Sequence, residues 1–483
     1  MATRAAECLL ILAVSAAALP CLAQPSPDLP EARTFRFVAT GPKGEPVTDL
    51  KPEEVQITDN GKRQPLLFAH LLGSGDGAGP AALGPRELSN HGHEELFSST
   101  LLLLDLLNAN IDERGAAWNE TVQAVSALES AGNVYLYLLA PDATLYPVHA
   151  WNSREAASGP PAWPGDAKAL LSAALGKVER IKPTELTAAP GLTVEPTYNA
   201  FRLLAQQYAA LPGQKRIIWA THGLPMTIVG PNGTVYADFH AELRALAQEF
   251  VELGISVYTV HQLDRSTTGI GTDETLQTLA PLTAGRWFEN DAVERALTQA
   301  RADARATYQA AYAVTAKEID GKFHKLRASC TRKNVRILPE EGYIAAPPQD
   351  MAKSRLDLAT SRPYDTPDIG LRAAISNGDK AGTLHFEIGV DVRDLAFEHT
   401  GSSSAGQFST SILFFNSSGA HVPAAPAVTQ LNFSQDQLDA ALKNGYRIAS
   451  DQAVPPGAAR GRIVVQDNLS GLAGSLGFSI ESK

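Results

Sequence analysis

A run of four leucines ending in a single acid constrains this chain more than any other stretch. From Ser98 the residues read Ser-Ser-Thr-Leu-Leu-Leu-Leu-Asp-Leu-Leu-Asn-Ala-Asn, so Asp105 closes the run and Asn108 and Asn110 follow it. A short continuous apolar run bounded by turn residues suits a strand buried on both faces, as at the centre of a parallel sheet. The acid then falls at the carboxyl end of that strand, where open α/β sheets place their ligands.

The stretches that follow repeat one pattern. Apolar strands are expected at Val134 to Leu139, Arg216 to Ala220 and Ile255 to Val260, with Arg286 to Phe288 as a short one. Between them lie helical compositions at Asp112 to Ala131, Asp166 to Val178, Thr197 to Ala210, Asp238 to Leu253, Asp273 to Leu282 and Asp291 to Arg305. Gly254 stands where a helix C-terminal cap favours glycine. Strands alternating with helices imply right-handed crossover units and a mostly parallel sheet with helices on both faces.

The flanks read differently. Thr34 to Ala39 and Val55 to Asp59 alternate like strands, and Asp59-Asn60-Gly61 is a hairpin signal, with Leu66 to Leu72 as the expected return strand. After Tyr308 the helical period ends, and beyond Asp365 short strands separated by Gly, Asn and Ser turns suggest an antiparallel sandwich. The expected organisation is a signal peptide over 1–23 and a Pro-rich leader over 24–33. A small β module follows at 34–72, a linker at 73–98, an α/β domain at 99–305 and a β annex at 306–344. A hinge at 345–365 leads into a β-sandwich over 366–483. The fold class is thus α/β: a doubly wound, mostly parallel sheet between a small N-terminal β module and a C-terminal antiparallel β-sandwich.

Charge and cysteines narrow the function. A net charge of −11 with no strong basic run argues against binding a phosphate backbone, which needs clustered Lys and Arg. Arg4, the apolar run from Leu9 to Leu19 and the small residue Ala23 form an export signal too short to span a bilayer. Cys8 and Cys21 leave with it, so the mature chain keeps Cys330 alone and has no internal disulfide. The expected location is exported, periplasmic or extracellular.

Several motifs carry a resemblance. Pro46 to Leu50 with Glu54 to Gly61, Leu101 to Asn108, Ile218 to Gly223, and Asp320 to Lys325 with Glu341 to Tyr343 occur in an order that resembles the acidobacterial family of VWFA-related secreted proteins. The central part resembles a von Willebrand factor A domain. That resemblance implies an A-domain-like sheet whose top holds Mg²⁺ through an acid-x-Ser-x-Ser strand end, a threonine and a second acid, oxygen ligands that suit this ion. Asp105 stands at the first position and Thr197 at the threonine. Leu107 and Ala109 replace both serines, and His222 replaces the second acid. The implied metal-dependent adhesion site is therefore degenerate. No cofactor is expected, and any Mg²⁺ that bound would use Asp105 and Thr197.

The binding residues expected at this rim are Asp105, Asn108, Asn110, Thr197, Thr221 and His222, with Asp105 bonding nearby backbone or Thr221 and Thr197 serving as an N-cap. His91 and His93 lack a third ligand at fixed spacing and read as a solvated loop. No Gly-x-Ser-x-Gly elbow, phosphate loop or dinucleotide fingerprint follows a strand, so no catalytic residue is assigned. Trp219 reads as core, while Trp151 and Trp163 lie in a loop. The expectation is an exported, non-catalytic, adhesion-type protein that binds an unidentified protein and no nucleic acid, with no transmembrane span. Two alternatives stay open: an envelope-associated scaffold whose sandwich is the binding end, and a hydrolase with an unrecognised site.

Overall fold

The computed structural model describes residues 31–72, 87–90, 98–109, 124, 133–150, 166–178, 180–181, 190–209, 211, 213–230, 232–262, 272–289, 292–362, 364–400, 403–420 and 425–480. The expected signal peptide, the leader up to residue 30, the 112–131 helix apart from residue 124, Asn110, His91, His93, Trp151 and Trp163 lie outside the described residues, while the last leader residues, 31–33, begin the strand Glu31–Thr40.

The leucine run forms the strand Ser98–Asp105, which pairs in parallel with Val134–Leu139 on one side and Gln214–Thr221 on the other. Side chains alternate across a strand, so Leu101 and Leu103 join a core with Phe201, Trp219 and Phe250, while Leu102 and Leu104 join another with Leu136, Leu138 and Ile218. Burying each leucine contributes about 1.5–3 kcal/mol of transfer free energy. Beyond Gln214–Thr221 the sheet continues through Ile255–His261 to Trp287–Phe288, again in parallel, and Leu145–His149 closes the other edge antiparallel to Val134–Leu139. The helices Val194–Ala209, His240–Glu252 and Asp273–Leu282 supply Phe201, Phe250 and Leu276 to the first core. Ala167–Val178 and Val293–Ala304 supply Leu171 and Leu297 to the second.

The remaining sheets are antiparallel. Glu31–Thr40 lies between Thr307–Val314 and Arg336–Pro339, and Leu66–Leu71 pairs with the far edge of Thr307–Val314. A second sheet runs Gly342–Ile344, Phe323–Cys330, Val55–Asp59 and Lys62–Gln64. Asn60 and Gly61 turn this hairpin at φ of 47° and 82°. The immediate return strand is therefore Lys62–Gln64, while Leu66–Leu71 crosses to the first sheet. The two sheets enclose Phe35, Phe37, Ile57, Tyr308, Tyr312 and Leu326, with Phe37 stacked on Tyr308 at 5.0 Å. Residues expected as a separate N-terminal module and β annex thus share both sheets.

Towards the C-terminus, one antiparallel sheet contains Tyr446–Ala453, Thr383–Val390, Leu371–Asn377 and Glu87–Ser89. Another is built on Ser403–Asn416, which pairs with Glu398–Thr400, Ala427–Ser434 and Ala458–Asp467, the last carrying Ala473–Ser479. Phe386, Ile388, Phe408, Ile463, Val465 and Leu476 fill a core to which both sheets contribute. Glu87–Ser89 falls in the stretch expected as a linker. It adds an edge strand, and Asn90 fastens it with bonds to Thr366 O (2.9 Å), Ile369 O (2.8 Å) and the Leu371 amide (2.7 Å). The expected hinge contains the helix Pro348–Ser361, whose Arg355 donates to Thr34 Oγ1 (2.8 Å) and Ser470 O (3.3 Å).

The expected fold class is therefore corrected. This is a mostly β chain with several antiparallel sheets, not a doubly wound, mostly parallel A-type α/β protein. Among the described residues, parallel pairing is confined to four pairs within one six-stranded sheet. The strand–helix alternation that pointed to the parallel architecture holds only for the stretch threading that sheet. Elsewhere local hairpins are joined by strands that meet partners far away in sequence, which local periodicity does not reveal. No helix among the described residues is long and apolar enough to cross a membrane.

Candidate functional site

The register of the six-stranded sheet decides what surrounds Asp105. Leu103 lies beside Trp219 and Leu104 beside Ala220, so the next step along both strands brings Asp105 level with Thr221. Period-two alternation then turns Asp105, Trp219 and Thr221 to the same face. The Asp105 side chain is fully buried. Its Oδ2 accepts from Thr221 Oγ1 (2.8 Å), Trp219 Nε1 (3.0 Å) and Asn108 Nδ2 (2.7 Å), and its Oδ1 accepts from the Asn108 amide (3.0 Å). Four donors match the roughly four lone-pair positions of a carboxylate.

The network continues outward. Asn108 Nδ2 also donates to Thr197 Oγ1 (3.0 Å), and Thr197 donates to Thr193 O (2.7 Å). Thr197 therefore sits one turn inside the helix Val194–Ala209 and bonds back to the preceding turn; it is not the N-cap expected. Thr221 Oγ1 accepts the Gly223 amide (3.1 Å), and the Thr221 carbonyl accepts the Gln262 amide (2.8 Å). Thr275 Oγ1 reaches Leu224 O (2.6 Å), so the loop after Thr221 is tied to the helix Asp273–Leu282. Gly223 has φ of 88°, and a Cβ there would lie 2.4 Å from the Thr272 carbonyl oxygen. Gly223→Ala combines a left-handed backbone with this clash and is expected to lower stability by about 2–4 kcal/mol; thermal unfolding checks it, and an unchanged melting temperature would contradict the packing.

Of the expected residues, Asp105, Asn108, Thr197 and Thr221 meet in one hydrogen-bonded cluster. His222 is buried immediately after Thr221, but Asp105 takes its bonds from Asn108, Trp219 and Thr221. The residues present do not fit Mg²⁺. Leu107 and Ala109 have no side-chain oxygen, and the Asp105 oxygens already face N–H and O–H donors that a cation would have to displace. Thr197 is likewise engaged on both sides. The cluster fastens two strand ends and a helix together.

Trp219 is the member that sequence reasoning assigned wholly to the core. It does pack there, edge-on to Phe201 at 4.9 Å, but its indole N–H also holds the acid. Strand parity relative to Asp105 was the available signal. A second feature was missed altogether. Residues 227–238 form a small hairpin of Thr227–Val229 and Val235–Asp238 that presents apolar side chains to solvent. Val229 is 55% exposed, Val235 56% and Tyr236 69%, and Leu192 on the neighbouring turn is 51% exposed. The turn and hairpin touch, because Ile228 Cδ1 lies 2.0 Å from where a Cβ on Gly191 would stand. The Tyr236 ring is laid over Gly230, within 2.3 Å of the corresponding point there. Apolar residues flanking a Pro-Asn-Gly turn, in a segment without charge until Asp238, were the legible sign.

Two further groupings stand apart from the Asp105 cluster. On the other side of the helix Val194–Ala209, a groove of about 840 Å³ is lined by Tyr137, Leu145, Pro147, Pro196, Ala200 and Leu203. In the N-terminal sheets, motif residues distant in sequence converge. Asp59 Oδ1 meets His324 Nδ1 (2.9 Å), Asp59 Oδ2 accepts from Tyr312 (3.0 Å) and Tyr343 (2.8 Å), and His324 Nε2 faces Asp320 (3.2 Å). Burial pushes both phenols above their ordinary range; Tyr343 and Asp59 add to the rise at Tyr312, whereas at Tyr343 Asp59 adds to it and the Tyr312 hydroxyl opposes it. This cluster joins the hairpin at Asn60-Gly61 to the turn at Asp320-Gly321. Among the described residues, no group of three or more His, Cys, Asp or Glu is placed to hold a metal ion.

No protein-family model and no curated protein matches the chain. Among solved structures it is similar to the pilus adhesin SpaC from Lactobacillus rhamnosus GG, at 11% identity over 77% of this chain and 54% of that one, with a TM-score of 0.27. The open conformation of SpaC matches at 9% identity over 90% of this chain and 58% of that one, also at 0.27. A mutant β-glucosidase from Listeria innocua in complex with laminaribiose matches at 9% identity over 82% and 48%, at 0.15. The chain spans little more than half the length of the SpaC chains it matches. TM-scores this low carry no argument about fold or function.

Proposed function

We propose that this chain is an exported, non-catalytic interaction protein that meets a protein partner at the carboxyl end of the six-stranded sheet. The observation that carries the reading is the apolar surface of Leu192, Val229, Val235 and Tyr236, set on a base locked by the Asp105 cluster. Large exposed apolar side chains scattered singly need no explanation, whereas several on touching segments mark contact sites. Four of the seven large hydrophobic residues exposed among the described residues lie on this turn and hairpin. Tyr236 held against Gly230 has the character of an interface anchor: a broad ring, few rotatable bonds and little entropy left to lose. Asp105, Asn108, Thr197 and Thr221 act here as the support that keeps the surface in shape, and the signal-like segment at 1–23 supports export.

The test is capture of partners from secreted and envelope fractions of the source cells. Native protein is compared with the double variant Leu192→Ser, Tyr236→Ser, whose melting temperature is expected to stay within a few degrees because both side chains are already solvated. Partners retained by the native protein should be lost by the variant. Identical retention by both would overturn this surface as the contact site, and turnover in an esterase or peptidase screen would overturn the non-catalytic reading.

A further inference from the structure

The charged surround of the apolar surface is mainly acidic. Asp238 ends the hairpin with its side chain 61% exposed, and Glu274 at the start of the helix Asp273–Leu282 is 57% exposed. His240 lies between them, with Nδ1 2.6 Å from Asp238 and Nε2 3.5 Å from Glu274. Asp273 is 45% exposed, and Glu195 and Glu242 face solvent from the first turns of their helices. Against these five carboxylates, the sequence has no Lys or Arg from Pro183 to Phe201 or from Ile217 to Leu243. Of the flanking guanidiniums, Arg202 pairs with Glu249 at 3.0 Å, and Arg244 lies over the Phe323 ring at 4.6 Å while its charge also reaches Asp238. Carboxylates in first helical turns offset the helix dipole, which accounts for four of the five. Asp238 serves a helix start as well, its Oδ1 accepting the His240 amide (3.0 Å), and it follows Tyr236 by two residues as Glu195 follows Leu192 by three.

We propose that the partner segment is basic and amphipathic: an apolar stripe that covers Leu192, Val229, Val235 and Tyr236, edged by Lys or Arg that meet Asp238, Glu242, Glu195 and Glu274. The inference rests on the interaction surface proposed above and adds the chemistry of what docks there. A second copy of this chain is disfavoured as the occupant, because a self-complementary contact would set acidic rim against acidic rim, and like charges across an interface cost several kcal/mol. The apolar stripe supplies affinity, while the charged edge supplies specificity and salt dependence.

The experiment titrates the full chain with two labelled helical peptides that share one leucine stripe, one with lysine and the other with glutamate on the polar face, read by fluorescence anisotropy. The lysine peptide should bind at least about tenfold more tightly than the glutamate peptide, and its affinity should fall by about tenfold or more on raising salt from about 0.05 to 0.5 M. Glu195→Gln with Glu242→Gln should weaken the lysine peptide several-fold. Removing two charges from the exposed helix Gln435–Asn444, as Asp436→Asn with Asp439→Asn, should leave it unchanged and so controls for net charge. Leu192→Ser with Tyr236→Ser should abolish binding. Equal binding of the two peptides, no binding of the lysine peptide, or equal weakening by both charge-removal pairs would each overturn the proposal. If the peptides fail while partner capture still depends on Leu192 and Tyr236, the contact surface stands and only the basic character of its partner is wrong.

Discussion

Replacing Asp105 by alanine is expected to destabilise the six-stranded sheet by about 3–5 kcal/mol, the range for removing one member of a buried, hydrogen-bonded charged group. The loss comes from what remains. The Trp219 indole N–H, the Thr221 hydroxyl, the Asn108 amide and one of the two Asn108 Nδ2 hydrogens would face a cavity without an acceptor, the other hydrogen keeping Thr197. Amide exchange of Leu101 to Leu104 measures it as a fall in local opening free energy. Trp219→Phe keeps most of the ring and removes one donor, so about 1–2 kcal/mol is expected, with a clear coupling to Asp105→Ala in a double-mutant cycle. A loss below about 1 kcal/mol for Asp105→Ala would mean that the cluster is not the lock described. Adding Mg²⁺ to the native protein should leave its unfolding unchanged, since the cation would have to break four existing hydrogen bonds to reach the acid.

Asp394 should make the protein lose stability as pH rises. Its side chain is 13% exposed, and burial pushes its carboxyl up to about 8, with the Asp391 carboxylate adding to the shift. The Gly370 amide (2.7 Å) and Arg393 oppose it, Asp368 adds slightly, and His70 faces it at 3.7 Å from the strand Leu66–Leu71. An acid whose folded value is raised binds its proton more tightly in the folded state. Stability is then greatest below the unfolded value near pH 4 and falls towards the folded value near 8, by at most about 1.4 kcal/mol per pH unit. Asp394→Asn keeps an oxygen for Gly370 and removes the titration. Variant and native protein should be about equally stable at pH 5, and the variant more stable at pH 8 by about 2–4 kcal/mol. Denaturant midpoints at the two pH values check this. A difference that does not grow with pH would show that Asp394 titrates normally.

The two residues also show what was legible in the chain. Asp105 announced itself, because one acid after four leucines is visible without a structure, and its partners Asn108, Thr197 and Thr221 could be named from strand ends and helix starts. Trp219 could not be separated from ordinary core, since its packing role hides its donor role. Asp394 carries no local signal at all: its burial is made by strands from both ends of the chain. The helices Ala167–Val178 and Asp273–Leu282 lie almost where their composition predicts, whereas the fold class does not follow from them.

The sequence by itself determined much of the local character: where the main strands and helices of the six-stranded sheet lie, that Ser98–Asp105 is buried on both faces, and that Leu107 and Ala109 offer no side-chain oxygen. These follow from periodicity and side-chain chemistry within a few residues. Only the tertiary structure decided which strands pair. Leu326 lies beside Asp59, Phe37 beside Tyr308 and Arg372 beside Ser89, and together such contacts make the chain mostly antiparallel β. The physical reason is that pairing depends on how distant apolar faces bury one another, a property of the whole chain. The same holds for the exposed hairpin, whose apolar side chains resemble core in the sequence and stand in solvent because no other element of the described structure covers them.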